Sequence, residues 1–87
     1  MAYRVVLHRK AEKFLENVPK RDYIKLRQHL DQLAIDPHPP GSIKLEGTQS
    51  VYRLRFGNYR ILYTVENEQL IVYVIEIGNR KDIYKKK

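Results

Sequence analysis

Three arginines stand close together in the sequence, on either side of a short turn. Arg53 and Arg55 alternate with apolar residues before Gly57-Asn58, and Arg60 follows soon after it. Gly and Asn tolerate positive φ, so this pair between two alternating runs predicts a tight β-hairpin. A two-residue turn places Arg55 opposite Arg60 and puts all three arginines on one face of the sheet. Guanidinium groups are always charged and donate paired hydrogen bonds to phosphate oxygens. The spacing therefore predicts a phosphate-binding patch.

Folding alone does not account for this arrangement of charge. Like charges opposite each other destabilise a sheet, and no Asp or Glu occurs between Gly47 and Val65 to neutralise them. Any single arginine of the three is also what an ordinary solvated surface would carry. All three in register favour a bound anion over that interpretation.

A second basic segment follows the last predicted strand. Gly78-Asn79 ends that strand, and Arg80, Lys81 and Tyr84 come directly after it. If this strand neighbours the hairpin, Arg80 and Tyr84 reach the edge of the arginine patch. An aromatic ring beside guanidinium groups suits RNA, whose unstacked bases lie on such planes. The alternative for Tyr84 is a ring packed back onto the sheet.

The overall charge agrees with a polyanionic partner. The chain of 87 residues has 17 Lys and Arg against 10 acidic residues, a formal charge of +7. A basic surface that serves only solubility is the alternative. Cysteine is absent, which excludes disulfides and thiolate chemistry, and the first residues lack the apolar run of a signal peptide or membrane span. We expect a cytoplasmic protein with no membrane partner.

Other catalytic chemistries find little support in the residue pattern. His8, His29 and His38 are scattered over different predicted elements, without carboxylates at ligand spacing, so no metal site is expected. Ser42 and Ser50 lack the His and Asp of a nucleophilic triad, and the glycines form no phosphate-binding loop. We expect no cofactor, and any catalysis must be metal-free and depend on arginine.

The elements that must position these residues follow from hydrophobic periodicity. The pattern predicts an α+β fold of order β-α-α-β-β-β, with a helical hairpin packed on one face of an antiparallel sheet. Asp22 is the expected N-cap of the second helix. We expect one domain, 1–87, whose other sheet face is open for function. The predicted strands are 3–8, 52–56, 59–65 and 70–77, and the predicted helices are 11–18 and 22–35.

Three segments of the chain resemble one known family. They are Lys44-Leu45-Glu46-Gly47, the run 52–63 (YRLRFGNYRILY), and Arg80-Lys81-Asp82-Ile83-Tyr84. Together they are similar to toxins of the RelE/ParE superfamily, and most closely to RelE-like mRNA interferases. The resemblance implies a RelE-like fold and a ribosome-dependent endoribonuclease that cuts mRNA in the aminoacyl site. It also implies attack by the RNA 2′-hydroxyl on the adjacent phosphate.

The resemblance also implies roles for individual residues. Arg60 and Arg80 would stabilise the phosphate, and Tyr84 would stack on or orient the substrate. Arg53 and Arg55 depart from the family, because well-studied members carry lysines there that are thought to transfer protons. Arginine is a poor proton donor or acceptor, so these two would act electrostatically or leave the activity weak. Further RNA contacts are expected from basic residues nearby: Lys44, Lys81, Lys85, Lys86 and Lys87.

Two alternatives to the nuclease remain open within this superfamily. One is a ParE-like toxin that inhibits DNA gyrase by protein binding, although such members generally lack the full set of sheet arginines with the terminal Arg and Tyr. The other is a degenerate member that only binds its antitoxin. In each case the expected partner is an acidic antitoxin, partly disordered when free, through which operator DNA would be bound. The nuclease would additionally engage the ribosome and mRNA.

Overall fold

A computed structural model of the chain describes residues 2–45, 47 and 50–79. Two helices and five strands follow one another along it. They are β1 (Arg4–Leu7), α1 (Arg9–Glu16), α2 (Lys20–Ile35), β2 (Ser42–Lys44), β3 (Val51–Phe56), β4 (Tyr59–Glu66) and β5 (Ile71–Asn79). Neither helix in this part of the chain has the length and apolar content needed to cross a membrane.

The five strands form one sheet in the order β1-β5-β4-β3-β2. β2 to β5 pair antiparallel in sequence order, whereas β1 lies parallel to β5 at the opposite edge. The predicted α+β class is confirmed, with two differences in the sheet. The sheet is mixed rather than purely antiparallel. This could not be predicted, because period-two alternation reveals a strand but not its direction. The three-residue strand β2 is also too short to show a period of its own.

The helices begin and end close to the predicted positions. The side chain of His8 caps α1 by accepting a hydrogen bond from the backbone N–H of Lys10, at 3.0 Å. α2 starts at Lys20, directly after Pro19, whose extended backbone makes Pro19 the N-cap residue. The prediction of Asp22 as N-cap was therefore wrong. Asp22 lies in the first turn of the helix, where its carboxylate accepts a hydrogen bond from the Tyr59 hydroxyl instead.

The core lies between the two helices and one face of the sheet. Tyr63, in the middle of β4, is fully buried, and its hydroxyl donates to the Pro37 carbonyl beyond α2 at 2.8 Å. Tyr23, near the start of α2, is 41% exposed and lies outside this core. The buried apolar residues are Ala11, Leu15, Leu26, Leu30, Leu33, Leu54, Ile61, Tyr63, Val72, Val74 and Ile77. Every element except the short β1 and β2 contributes at least one of them.

The β3–β4 hairpin has the predicted register. Phe56 pairs with Tyr59, and Gly57 begins the turn with a φ of 55°, which a residue without Cβ adopts at no steric cost. The pairing of β4 with β5 shifts after Leu62, where β5 contains one extra residue. Such a bulge bends the strand locally and sharpens its twist. The hairpin and the strand beside it therefore hold the residues of interest in a defined register.

Candidate active site

The three hairpin arginines lie on the sheet face that points away from the helices. Arg55 on β3 is the direct partner of Arg60 on β4, and Arg53, two residues earlier, pairs with Leu62. Their neighbours Leu54 and Ile61 are buried against the helices on the other face. Alternation along a strand then places the arginines together on the opposite face, which is called the open face because the helices do not cover it. The predicted register and the shared face of these arginines are both confirmed.

The three side chains differ in their access to solvent. Arg55 is exposed and Arg53 is half-buried, but Arg60 is only 6% exposed. β4 is the central strand, so Arg60 has neighbours on both sides: Arg55 on β3 and Gly78 on β5. Gly78 has no side chain, so its position on β5 places no side chain directly beside Arg60 on this face. A charged group held at this depth interacts more strongly with an anion than one in bulk water.

The sheet adds an acidic residue to the same face. Glu76 on β5 is the direct partner of Leu62, which in turn is the partner of Arg53. Glu76 therefore shares the open face with the arginines and lies diagonally across from Arg60. Glu76 is not among the residues predicted for this site from sequence. The available signal was its position as the single charged residue in an otherwise apolar strand.

Aromatic side chains under the hairpin fix its position on the helices. The His29 ring of α2 stacks on Phe56 with a centroid distance of 3.7 Å and an angle of 8°. Tyr59 contacts both Phe56 and Phe14 of α1, at centroid distances of 6.0 and 5.9 Å. Phe56 and Tyr59 alternate with Arg55 and Arg60 along the strands. Their packing against the helices on one face therefore fixes the backbone from which the two arginines extend on the other face.

A hydrogen bond ties the same end of the hairpin to α2. The Tyr59 hydroxyl donates to Oδ2 of Asp22 at 2.5 Å. This bond to a carboxylate, together with burial, raises the pKa of Tyr59 above its ordinary value of 10.0, because both favour the neutral phenol. The tyrosine thus remains a donor throughout the physiological range and holds the start of β4 against the helix.

The other predicted site residues fall into two groups. Arg80, Lys81, Tyr84 and the lysines 85–87 lie outside the described residues. β5, the strand that leads towards them, does neighbour the hairpin, since Asn79 is the partner of Tyr59. Lys44 is on the edge strand β2 as the partner of Tyr52. Because Tyr52 alternates with Arg53, Lys44 lies on the opposite face from the arginines, and the fold does not bring it into their patch.

The chain is similar in sequence to a known protein family. The model of a family described as the ParE toxin of type II toxin-antitoxin system, parDE, matches residues 5–84. The chain belongs to that family. A putative RelE-like toxin protein of Escherichia coli is 33% identical over 97% of this chain and 92% of its own length. The putative toxin RelE1 of Methanocaldococcus jannaschii is 28% identical, with 98% of each chain covered.

Solved structures agree with the sequence relatives. The RelE–RelB complex of the archaeon Pyrococcus horikoshii OT3 contains a chain that superimposes with a TM-score of 0.81 at 34% identity. The match covers 92% of this chain and 97% of the other. The resemblance to the RelE/ParE superfamily is therefore confirmed, and within it the chain is RelE-like. It is a toxin of a type II toxin–antitoxin system.

Proposed function

We propose that this toxin is an endoribonuclease that cleaves mRNA in the ribosomal aminoacyl site. The observation that carries the proposal is the arginine cluster on the open face, with Arg60 buried between Arg55 and Gly78. Such a cluster costs stability and is suited to a bound phosphate. RelE-named relatives over nearly the whole chain favour the nuclease over a toxin that acts on DNA gyrase.

The reaction requires one bond to form and one to break. The RNA 2′-oxygen forms a bond to the adjacent phosphorus, and the bond from phosphorus to the 5′-oxygen of the next nucleotide breaks. The products are a 2′,3′-cyclic phosphate and a free 5′-hydroxyl. Negative charge accumulates on the phosphoryl oxygens in the transition state, where Arg60 and Arg55 stabilise it with fixed guanidinium donors. Arg53 extends this positive environment, and we propose that Arg80, which lies outside the described residues, also binds the phosphate.

The proton of the attacking 2′-hydroxyl needs an acceptor that arginine cannot provide. Glu76 lies on the same face, diagonally across from Arg60, and a positioned carboxylate side chain can act as a general base. We assign it the role of general base. The leaving 5′-oxygen takes its proton from water while guanidinium hydrogen bonds stabilise its charge. Tyr84 would stack on a base and hold the strand in place.

The proposed toxin also binds protein and nucleic-acid partners. RelE of Pyrococcus horikoshii was solved as a complex with RelB, and we propose that a cognate antitoxin likewise holds this cytoplasmic toxin inactive. The chain has 17 basic and 10 acidic residues, and this positive charge favours an acidic antitoxin segment. Operator DNA would be bound only through the toxin–antitoxin complex. Lys81 and the lysines 85–87 would contact RNA, as would Lys44 from the other side of the sheet.

One experiment separates the nuclease from gyrase inhibition. The toxin is induced in cells that carry two copies of one message, one translated and one without a start codon, and new 5′ ends are mapped. Plasmid supercoiling is measured in the same cells. Cuts confined to the translated copy, ending in a 5′-hydroxyl, are expected. Altered supercoiling with intact message would overturn the proposal in favour of the gyrase inhibitor.

A further inference from the structure

A small cavity lies at the edge of the sheet beside the arginine cluster. Its volume is about 220 Å³. Residues from α2, the loop after it and β3 line the cavity: His29, Gln32, Pro39, Pro40, Leu54 and Arg55. Arg55 belongs to both features, since it is also the direct partner of Arg60. Leu54, His29 and Gln32 line the cavity from the helix side, so an RNA strand held at the arginines would reach it around the edge of β3 at Arg55.

The cavity exists because the edge strand is short. β2 pairs with β3 only as far as Leu54, the partner of Ser42. From Arg55 onwards that edge of β3 has no strand beside it in the described part of the chain. Pro39 and Pro40, on the path from α2 to β2, form one wall of the gap, and α2 forms another. The opening thus joins the edge of the open face to the surface of the helix.

The polar groups that line the cavity are held in defined positions. The His29 ring is fixed by its stacking on Phe56, and its Nδ1 is 2.9 Å from the Lys25 carbonyl. A carbonyl accepts only from a protonated nitrogen, so in the neutral ring Nε2 is the acceptor. Gln32 carries an amide that both donates and accepts, and Arg55 donates. These three side chains present complementary donors and acceptors within one small volume.

The remaining lining residues are apolar. Pro39, Pro40 and Leu54 provide surfaces that favour a flat group with apolar faces. Pockets for drug-sized ligands have volumes of roughly 300–1,000 Å³, so this one suits a single heterocycle rather than a larger ligand. A nucleobase has this combination of properties: a flat ring with apolar faces and an edge of hydrogen-bond donors and acceptors.

We propose that the cavity binds one nucleobase of the RNA strand, next to the phosphate held by the arginines, and that it gives cleavage a base preference. This inference rests on the proposed nuclease function and adds a specificity site to it. Gln32 and His29 read the base edge, and Arg55 links the base to the phosphate. Gln32 is the better residue to alter, because it is exposed and its replacement leaves the His29–Phe56 stack in place.

The test compares Gln32→Ala with Gln28→Ala. Gln28 is exposed one turn earlier on the same helix and does not line the cavity, so it is the matched control. Cleavage sites are mapped for each toxin on ribosomes with messages that randomise the bases around the cut. The wild-type toxin should prefer certain bases at one fixed position, and Gln32→Ala should reduce that preference roughly five-fold or more. Gln28→Ala should keep it.

A binding measurement keeps this inference separate from the nuclease itself. Wild-type toxin is titrated with 2′-O-methyl dinucleotides, which cannot be cleaved, while the Gln32 side-chain amide is followed by NMR. We expect chemical-shift changes that depend on the base and that ribose phosphate alone does not cause.

Active toxin without base preference, or an unchanged preference in Gln32→Ala, would overturn the cavity assignment and leave the nuclease intact. Weaker antitoxin binding by Gln32→Ala, with unchanged base preference, would assign the cavity to the protein partner. If no message is cut, the proposed function fails, and the titration decides the base site by itself.

Discussion

Arg55 and Arg60 lie directly opposite each other on neighbouring strands, on the face of the sheet that the helices leave uncovered. Arg53 extends the same patch from two residues away. Like charges in this relationship repel, so a sheet selected for stability alone would not contain them. The arrangement instead resembles a functional site in which stability is given up for the ability to bind an anion.

Replacing Arg55 by Gln should therefore make the free toxin more stable while making it less active. Loss of the repulsion should raise the free energy of unfolding by a few tenths of a kcal/mol, up to about 1 kcal/mol. Arg4→Gln is the matched control, because Arg4 is exposed on β1 opposite the apolar Ile71. Urea unfolding followed by circular dichroism measures both variants. A less stable Arg55→Gln would show that the charge cluster supports the fold.

Arg60 should be the arginine whose loss affects toxicity most among those described. Arg60→Ala removes the buried guanidinium that we propose binds the phosphate, and loss of one such donor typically slows a reaction by about 100 to 1,000-fold. Arg60→Lys should recover little, because an ammonium group cannot replace the paired donors of guanidinium. Growth after induction and cleavage on purified ribosomes report the effect, with circular dichroism to confirm folding. We expect the same loss for Arg80→Ala, and a folded variant that stays fully toxic would rule out the assigned role.

The hairpin could be predicted from sequence because its determinants are local. Alternation from Tyr52 to Tyr63 identifies two strands, and Gly57-Asn58 fixes the turn between them. Once the turn length is known, the register follows, and with it the pairing of Arg55 with Arg60. No long-range contact needs to be known for this step, which is why the arginine patch was predicted with the correct partners.

Features that depend on distant contacts were missed. The parallel pairing of β1 with β5 joins residues almost seventy positions apart, such as Arg4 and Ile71. The place of Glu76 in the site depends on the β4–β5 register and on its bulge. Asp22 has the composition of an N-cap, but its actual partner, Tyr59, is 37 positions away. Local patterns carry no information on these contacts.

Glu76→Gln should slow cleavage. General bases typically contribute about 100 to 10,000-fold, and the amide cannot accept a proton. Single-turnover cleavage on purified ribosomes measures the rate for the wild-type toxin and the variant. Glu66→Gln is the control, since Glu66 is exposed at the far end of β4. A folded variant that cleaves at the wild-type rate would exclude Glu76 as the base.

Tyr63 should make the toxin sensitive to alkaline unfolding. Burial raises the pKa of its phenol above 10.0, so the folded state favours the neutral form. The resulting stabilisation is fully present below the ordinary pKa and is lost as the pH rises through the higher folded value. Tyr63→Phe should therefore show a shallower loss of stability above about pH 10. At neutral pH it should be less stable by about 1 kcal/mol, because the hydrogen bond to the Pro37 carbonyl is gone. Urea unfolding across this pH range measures both effects, and parallel curves for the two proteins would show that Tyr63 does not control alkaline stability.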